Sequence, residues 1–192
     1  FNSKYSEKNI GFLKRKFIGF YLKFFKKSFK WVYKEKTPGQ YDKNLILEIQ
    51  KVKNSLLLLG YWQNHMYFDK HKEILKKELK LRTNIKNLDF SESDVLVHVR
   101  RGDYNSVINK KIFSVCDLNY YNRCIKFFRD KNKNCTFYFF SDDINWCKKK
   151  FFSKNFKFIE NKNDIVEFDM MKKFKNYIIS NSTFSWWGAY LS

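Results

Sequence analysis

The spacing of hydrophobic positions changes along the chain. In the first 80 residues apolar side chains recur at helix-like intervals: Phe17, Phe20, Tyr21, Phe24 and Phe25 stand among lysines. "TPGQYD" (37–42) marks a turn, and a helix is expected from about Asn44 to Lys53. "GYWQNHMYF" adds a second turn and an aromatic cluster. A helix from about Phe68 to Lys80 follows, with Leu75 and Leu79 on one face. From Asp94 the pattern becomes short apolar runs alternating with amphipathic segments. "VLVHV" reads as a strand, with Leu96, His98 and Arg100 on one face and Val95, Val97 and Val99 on the other. "DLNYYNRCIKFFRD" predicts a helix capped by Asp117, its stripe formed by Tyr121, Ile125 and Phe128. Strand "TFYFF", helix "INWCKKKFF", strand "FKFI", helix "DIVEFDMMKKFK" capped by Asp164, and strand "YIIS" come next. "NSTFSWWGAYL" opens a last helix. Alternating strands and helices with apolar strand runs imply an α/β fold with a parallel sheet covered on both faces.

Three of these strands end in polar clusters: His98-Val99-Arg100-Arg101-Gly102-Asp103, Ser141-Asp142-Asp143 and Ser180-Asn181-Ser182-Thr183. Ligands of such sheets bind beyond the carboxyl ends of the strands, so the three endings together would form a polar crevice. Two adjacent guanidiniums at a buried strand end need partners. Either Asp103 pairs with one of them in a purely structural contact, or they clamp a phosphate in the bidentate way that suits arginine better than lysine. His98 reads either as a hydrogen-bonded core histidine or as part of that loop. Asn181, Ser182 and Thr183 either cap the last helix or place an anion at its positive end. Asp142 and Asp143 either cap the following helix or accept from the paired donors of a purine. Trp186 and Trp187 are expected to pack.

Composition narrows the partners. The 192 residues carry 39 Lys and Arg against 19 Asp and Glu, a formal charge of +20, which favours anionic ligands. Part of that lysine excess matches the background bias of an AT-rich genome. At 44 % hydrophobic residues the chain is no disordered basic tail. Cys116, Cys124, Cys135 and Cys147 form no metal-binding spacing and read as reduced thiols. No segment is long and apolar enough to span a bilayer. The basic aromatic start is either an interfacial helix on an anionic membrane or a surface helix with a solvated lysine face. A basic nucleic-acid-binding protein is the competing functional class, but it leaves the three strand-end clusters unexplained.

"HVRRGDY", "FSDDINW" and "IISNSTFSWWGAYL", in this order, resemble the bacterial α-1,2-fucosyltransferases of glycosyltransferase family 11, and "GYWQNHMYF" is similar to an upstream stretch of that family. The resemblance implies a metal-independent, inverting GT-B enzyme without cofactor. GDP-fucose would be the donor and a galactose-terminated glycan the acceptor, with no nucleic acid partner. A cytoplasmic location is expected, and the interfacial reading of the basic start would add peripheral contact with the inner face of the membrane. Residues 1–90 would then be a remainder of the N-terminal domain, and 91–192 the Rossmann-like donor domain, cut at both ends. The family's glycine-rich "GGLGNQ" stretch is not in the sequence. Carried over to this chain, Arg100 would hold the diphosphate, with Arg101 beside it and His98 and Asp103 shaping the loop. Asp142 and Asp143 would lie near guanine or ribose, and Asn181, Ser182, Thr183 and Ser185 near the phosphates. His98 and Asp103 are also the candidate bases for the acceptor proton.

Overall fold

The computed structural model describes residues 31–52, 56–80, 89–102, 104, 115–160 and 163–192. The helix expected around Phe17–Phe25 lies outside them. The chain divides into two compact units between His71 and Lys72.

In the first unit, β1 (Trp31–Lys34) and β2 (Leu56–Leu59) pair in parallel, with α1 (Lys43–Lys51) between them in sequence. The α1 helix starts where expected because the Asp42 carboxylate accepts the Asn44 N–H at 3.0 Å. Neither strand was read as one: "WVYK" continues a stretch with helix-like aromatic spacing, and "LLLL" has no alternation to mark it. Glu35 fastens the loop after β2. Its carboxylate accepts N–H bonds from Gly39 (3.2 Å), Tyr61 (2.7 Å) and Trp62 (3.2 Å). Gly60 has to be glycine here, because a Cβ would lie 2.4 Å from the Cβ of Glu35. The aromatic cluster of "GYWQNHMYF" is real: Trp62 meets Tyr33 and Tyr67 at ring distances of 6.2 and 5.9 Å.

The second unit opens with α2 (Lys72–Glu78), shorter than expected because His65–Tyr67 and Asp69–His71 form 3-10 turns instead of the first helical turn. A four-stranded sheet follows. Its strands are β3 (Val95–Val99), β4 (Phe137–Ser141), β5 (Phe156–Phe158) and β6 (Asn176–Ile178), in the order β5-β4-β3-β6 and all parallel. The connecting helices are α3 (Leu118–Lys131), α4 (Ile144–Lys150) and α5 (Asp164–Met171), and α6 (Thr183–Tyr190) closes the unit. Asp117 caps α3 as expected, accepting from Tyr120 at 2.8 Å. The cap of α5 is Asn163 rather than Asp164: its side-chain oxygen accepts from Ile165 and Val166 at 3.0 and 3.2 Å. Asp164 is therefore in the first turn, where its charge suits the helix dipole.

The alternation along β3 builds two cores. Val95, Val97 and Val99 pack with Tyr121, Ile125, Phe137 and Phe139, while Leu96 packs with Phe140, Met170, Met171 and Phe174. Both faces are thus covered, as a parallel sheet requires. Truncating one of these fully buried phenylalanines to alanine removes about 3–5 kcal/mol. Two tyrosines of α3 tie down the carboxyl ends of β3 and β6. Tyr121 donates to the His98 carbonyl at 3.3 Å, and Tyr120 to the Ile179 carbonyl at 2.7 Å. No helix among the described residues is long and apolar enough to cross a membrane.

Candidate functional site

The strand order contains a reversal. From β3 the chain steps outward through β4 to β5, then returns to place β6 on the other side of β3. Beyond the carboxyl ends of such diverging strands a crevice opens. Here it is a cavity of about 440 Å³ lined by His98, Arg100, Tyr104, Ser141, Asp142, Asp164, Glu167, Ser182, Thr183 and Phe184. Residues from all three predicted strand endings therefore meet in one place.

The arginines find partners across the sheet, on the end of β4. Asp103 lies outside the described residues. Asp142 takes Arg100, with Nη1 to Oδ2 at 3.2 Å, and also accepts the backbone N–H groups of Arg101 and Gly102, both at 2.9 Å. One carboxylate from β4 thus holds the turn that ends β3. Gly102 makes this approach possible, because a Cβ there would stand 2.6 Å from Asp142 Oδ2. Arg101 is engaged elsewhere. Its Nε donates to Asp143 Oδ2 at 3.3 Å, and its guanidinium lies 3.9 Å from the centre of the Trp146 ring. Asp143 also caps α4, accepting the Trp146 N–H at 3.1 Å. Neither Arg101 nor Asp143 lines the cavity.

His98 is 5 % exposed, and its Nδ1 is 2.8 Å from the Ser180 hydroxyl, joining the ends of β3 and β6. Burial first, and the Arg100 charge second, lower its pKa to about 4, so the ring is neutral at pH 7. The last helix begins at Thr183 with Ser182 as cap residue, yet no side-chain oxygen caps it. The positive end of α6, with Ser182 and Thr183, opens onto the cavity that Arg100 lines. Asn181 is exposed and outside the lining. Ser185 is buried, its hydroxyl donating to the Ser182 carbonyl at 3.1 Å.

Sequence reasoning did not place four lining residues at the site: Tyr104, Asp164, Glu167 and Phe184. Tyr104 faces Arg100, whose guanidinium is 5.8 Å from the ring centre. Glu167 sits one turn after Asp164 on α5. Burial, and secondarily the Asp164 charge, push its pKa up to about 7. Two acids at i and i+3 on a capped helix were the available signal, but they read equally well as an ordinary acidic first turn.

An arginine and an uncapped helix start at a topological reversal are suited to a phosphate ester. The profile of glycosyl transferase family 11 matches residues 12–192. The chain belongs to that family. An alpha-1,2-colitosyltransferase of Escherichia coli is 44 % identical over 154 residues, covering 73 % of this chain and 52 % of the relative. The O-antigen biosynthesis glycosyltransferase WbnK of Escherichia coli is 28 % identical over 158 residues, covering 74 % and 52 %. The family 11 chain thus spans about half the length of the curated relatives it matches. No solved structure matches it significantly.

Proposed function

We propose that this chain is the nucleotide-sugar-binding part of an inverting α-1,2-glycosyltransferase of GT-B architecture. In this reading L-fucose passes from GDP-fucose to the 2-hydroxyl of a galactose in an oligosaccharide, O-antigen or glycolipid. The observation that carries the reading is the meeting of Arg100 with the uncapped start of α6 in one crevice.

In such a reaction the acceptor oxygen attacks the anomeric carbon as the bond to the GDP oxygen breaks, and negative charge grows on the departing diphosphate. Arg100 and the N–H groups at the start of α6 stabilise that charge, and no metal is required of this site. Arginine supplies the larger share, since hydrogen bonds to charged groups contribute about 1.5–3 kcal/mol each and the helix end about 0.3–1 kcal/mol. Asp142 keeps Arg100 and the following turn in place. His98, neutral and bonded to Ser180, serves better as a support beneath Arg100 than as the base for the acceptor proton.

A second reading keeps the site and changes the sugar. Its basis is the 44 % identity to an alpha-1,2-colitosyltransferase. Colitose is fucose without its 3-hydroxyl, so a site that hydrogen-bonds that hydroxyl rejects the colitose donor strongly. The deciding experiment has two parts. Calorimetric titration of the chain with GDP, GDP-fucose and single-stranded DNA comes first; binding of the oligonucleotide but not of GDP would overturn the proposal. Turnover of GDP-fucose against GDP-colitose by the full-length protein, with lactose as acceptor, then assigns the sugar.

Peripheral contact of the basic N-terminal segment with an anionic bilayer belongs to the same proposal, and sedimentation with anionic vesicles tests it.

A further inference from the structure

The crevice holds a carboxyl group that the arginine cluster does not use. Asp142 is occupied by three donors: Arg100 and the N–H groups of Arg101 and Gly102. It is therefore poorly placed to accept from a purine as well. Glu167 lines the same cavity from α5, half-buried, and no hydrogen bond or ion pair among the described residues engages its side chain. Asp164 stands one turn before it and lines the cavity too. Two acids facing a site meant for a diphosphate would oppose binding unless they meet donors.

A guanine nucleotide brings such donors. Guanine presents N1–H and its 2-amino group side by side, and a carboxylate accepts both. Adenine offers a donor beside an acceptor, and uracil a single N–H between two carbonyls. We propose that Glu167 reads the base of the nucleotide, its two carboxylate oxygens accepting the N1–H and 2-amino groups of guanine. This rests on the nucleotide-sugar reading above and adds the residue that sets the base. The Glu167 pKa of about 7 fits the assignment: burial and Asp164 disfavour the free carboxylate, and paired donors from guanine restore it.

The test compares GDP with inosine diphosphate, which lacks only the 2-amino group. In calorimetric titrations at pH 8 the wild-type chain should prefer GDP by roughly 10- to 100-fold, the scale of one hydrogen bond to a charged group. Glu167→Gln, nearly the same shape, should reduce that preference to within about threefold without weakening the binding of inorganic pyrophosphate. The wild-type preference should also shrink as the pH falls from 8 to 6 and Glu167 takes up a proton. The other charged or titratable groups facing the cavity are His98 of β3, Arg100 and Tyr104 just after it, Asp142 just after β4 and Asp164 of α5. His98, with its pKa near 4, stays neutral throughout, and the phosphates are common to both ligands. An unchanged GDP preference in Glu167→Gln would overturn this inference alone. Failure of the wild-type chain to bind GDP would overturn it together with the nucleotide-sugar reading.

Discussion

Asp142 and Gly102, forty residues apart, touch. The carboxylate accepts the Gly102 N–H at 2.9 Å, and a methyl group on Gly102 would fall 2.6 Å from the same oxygen. The contact works only for glycine, and it sets the turn that carries Arg100. Gly102→Ala should therefore lower stability by about 1–3 kcal/mol, the cost of overpacking, and weaken GDP binding because Asp142 has to move away from Arg100. Thermal melts and GDP titrations of the variant check this; a melting curve and affinity equal to wild type would exclude it.

The two arginines should separate cleanly. Arg100 lines the crevice, whereas Arg101 lies on Trp146 and pairs with Asp143. In the full-length enzyme, Arg100→Ala should cost roughly 10²–10³ in transfer rate, as for loss of one transition-state donor. Arg101→Ala should cost about 1 kcal/mol of stability through the lost cation–π contact and affect the rate much less. Steady-state kinetics and denaturant titrations on both variants distinguish the roles.

His98 makes stability depend on pH. Its folded pKa, about 4, lies below the ordinary 6.5. The unfolded chain therefore takes up the proton first, and this contribution is complete above pH 6.5 and lost as the pH falls towards 4. The full span is on the order of 3 kcal/mol. Glu167 works in the opposite sense, since its raised pKa removes stability as the pH rises from 4.5 towards 7. The comparison of wild type with His98→Asn isolates the histidine. The variant should lose less stability than wild type between pH 6.5 and 4, measured by urea unfolding.

Charge stabilisation by Arg100 and α6 alone leads to a further expectation. Transfer by the full-length enzyme should be unchanged, within about twofold, by excess chelator, because in the proposed mechanism the donors at the leaving group are protein N–H groups. A rate that collapses with chelator and returns with a divalent cation would refute the arginine-based mechanism.

Local features were legible in the sequence. The two faces of β3, the Asp117 cap of α3 and the strand-helix alternation all follow from neighbouring residues, because strand and helix periods act over a few positions. The three polar strand endings could be recognised as one site, since a parallel sheet places its carboxyl ends together. The strands β1 and β2 carried no alternation that set them apart from their surroundings, and Asp164 was read as the cap that its neighbour Asn163 provides.

Pairing across the sheet was decided by tertiary structure. Sequence proximity pointed to Asp103, which lies outside the described residues; the register of β3 with β4, Val99 opposite Ser141, brings Asp142 and Asp143 to the arginines, a pairing no neighbouring residue announces. Likewise Glu167 is an unremarked residue of an acidic helical turn until the return of the chain to β6 leaves α5 lining the crevice beside Arg100. The sequence by itself determined which residues end each strand, because side-chain alternation is local. Which carboxylates hold the arginines, and which is left facing the crevice, depended on strand order and register, long-range relations that no local period encodes.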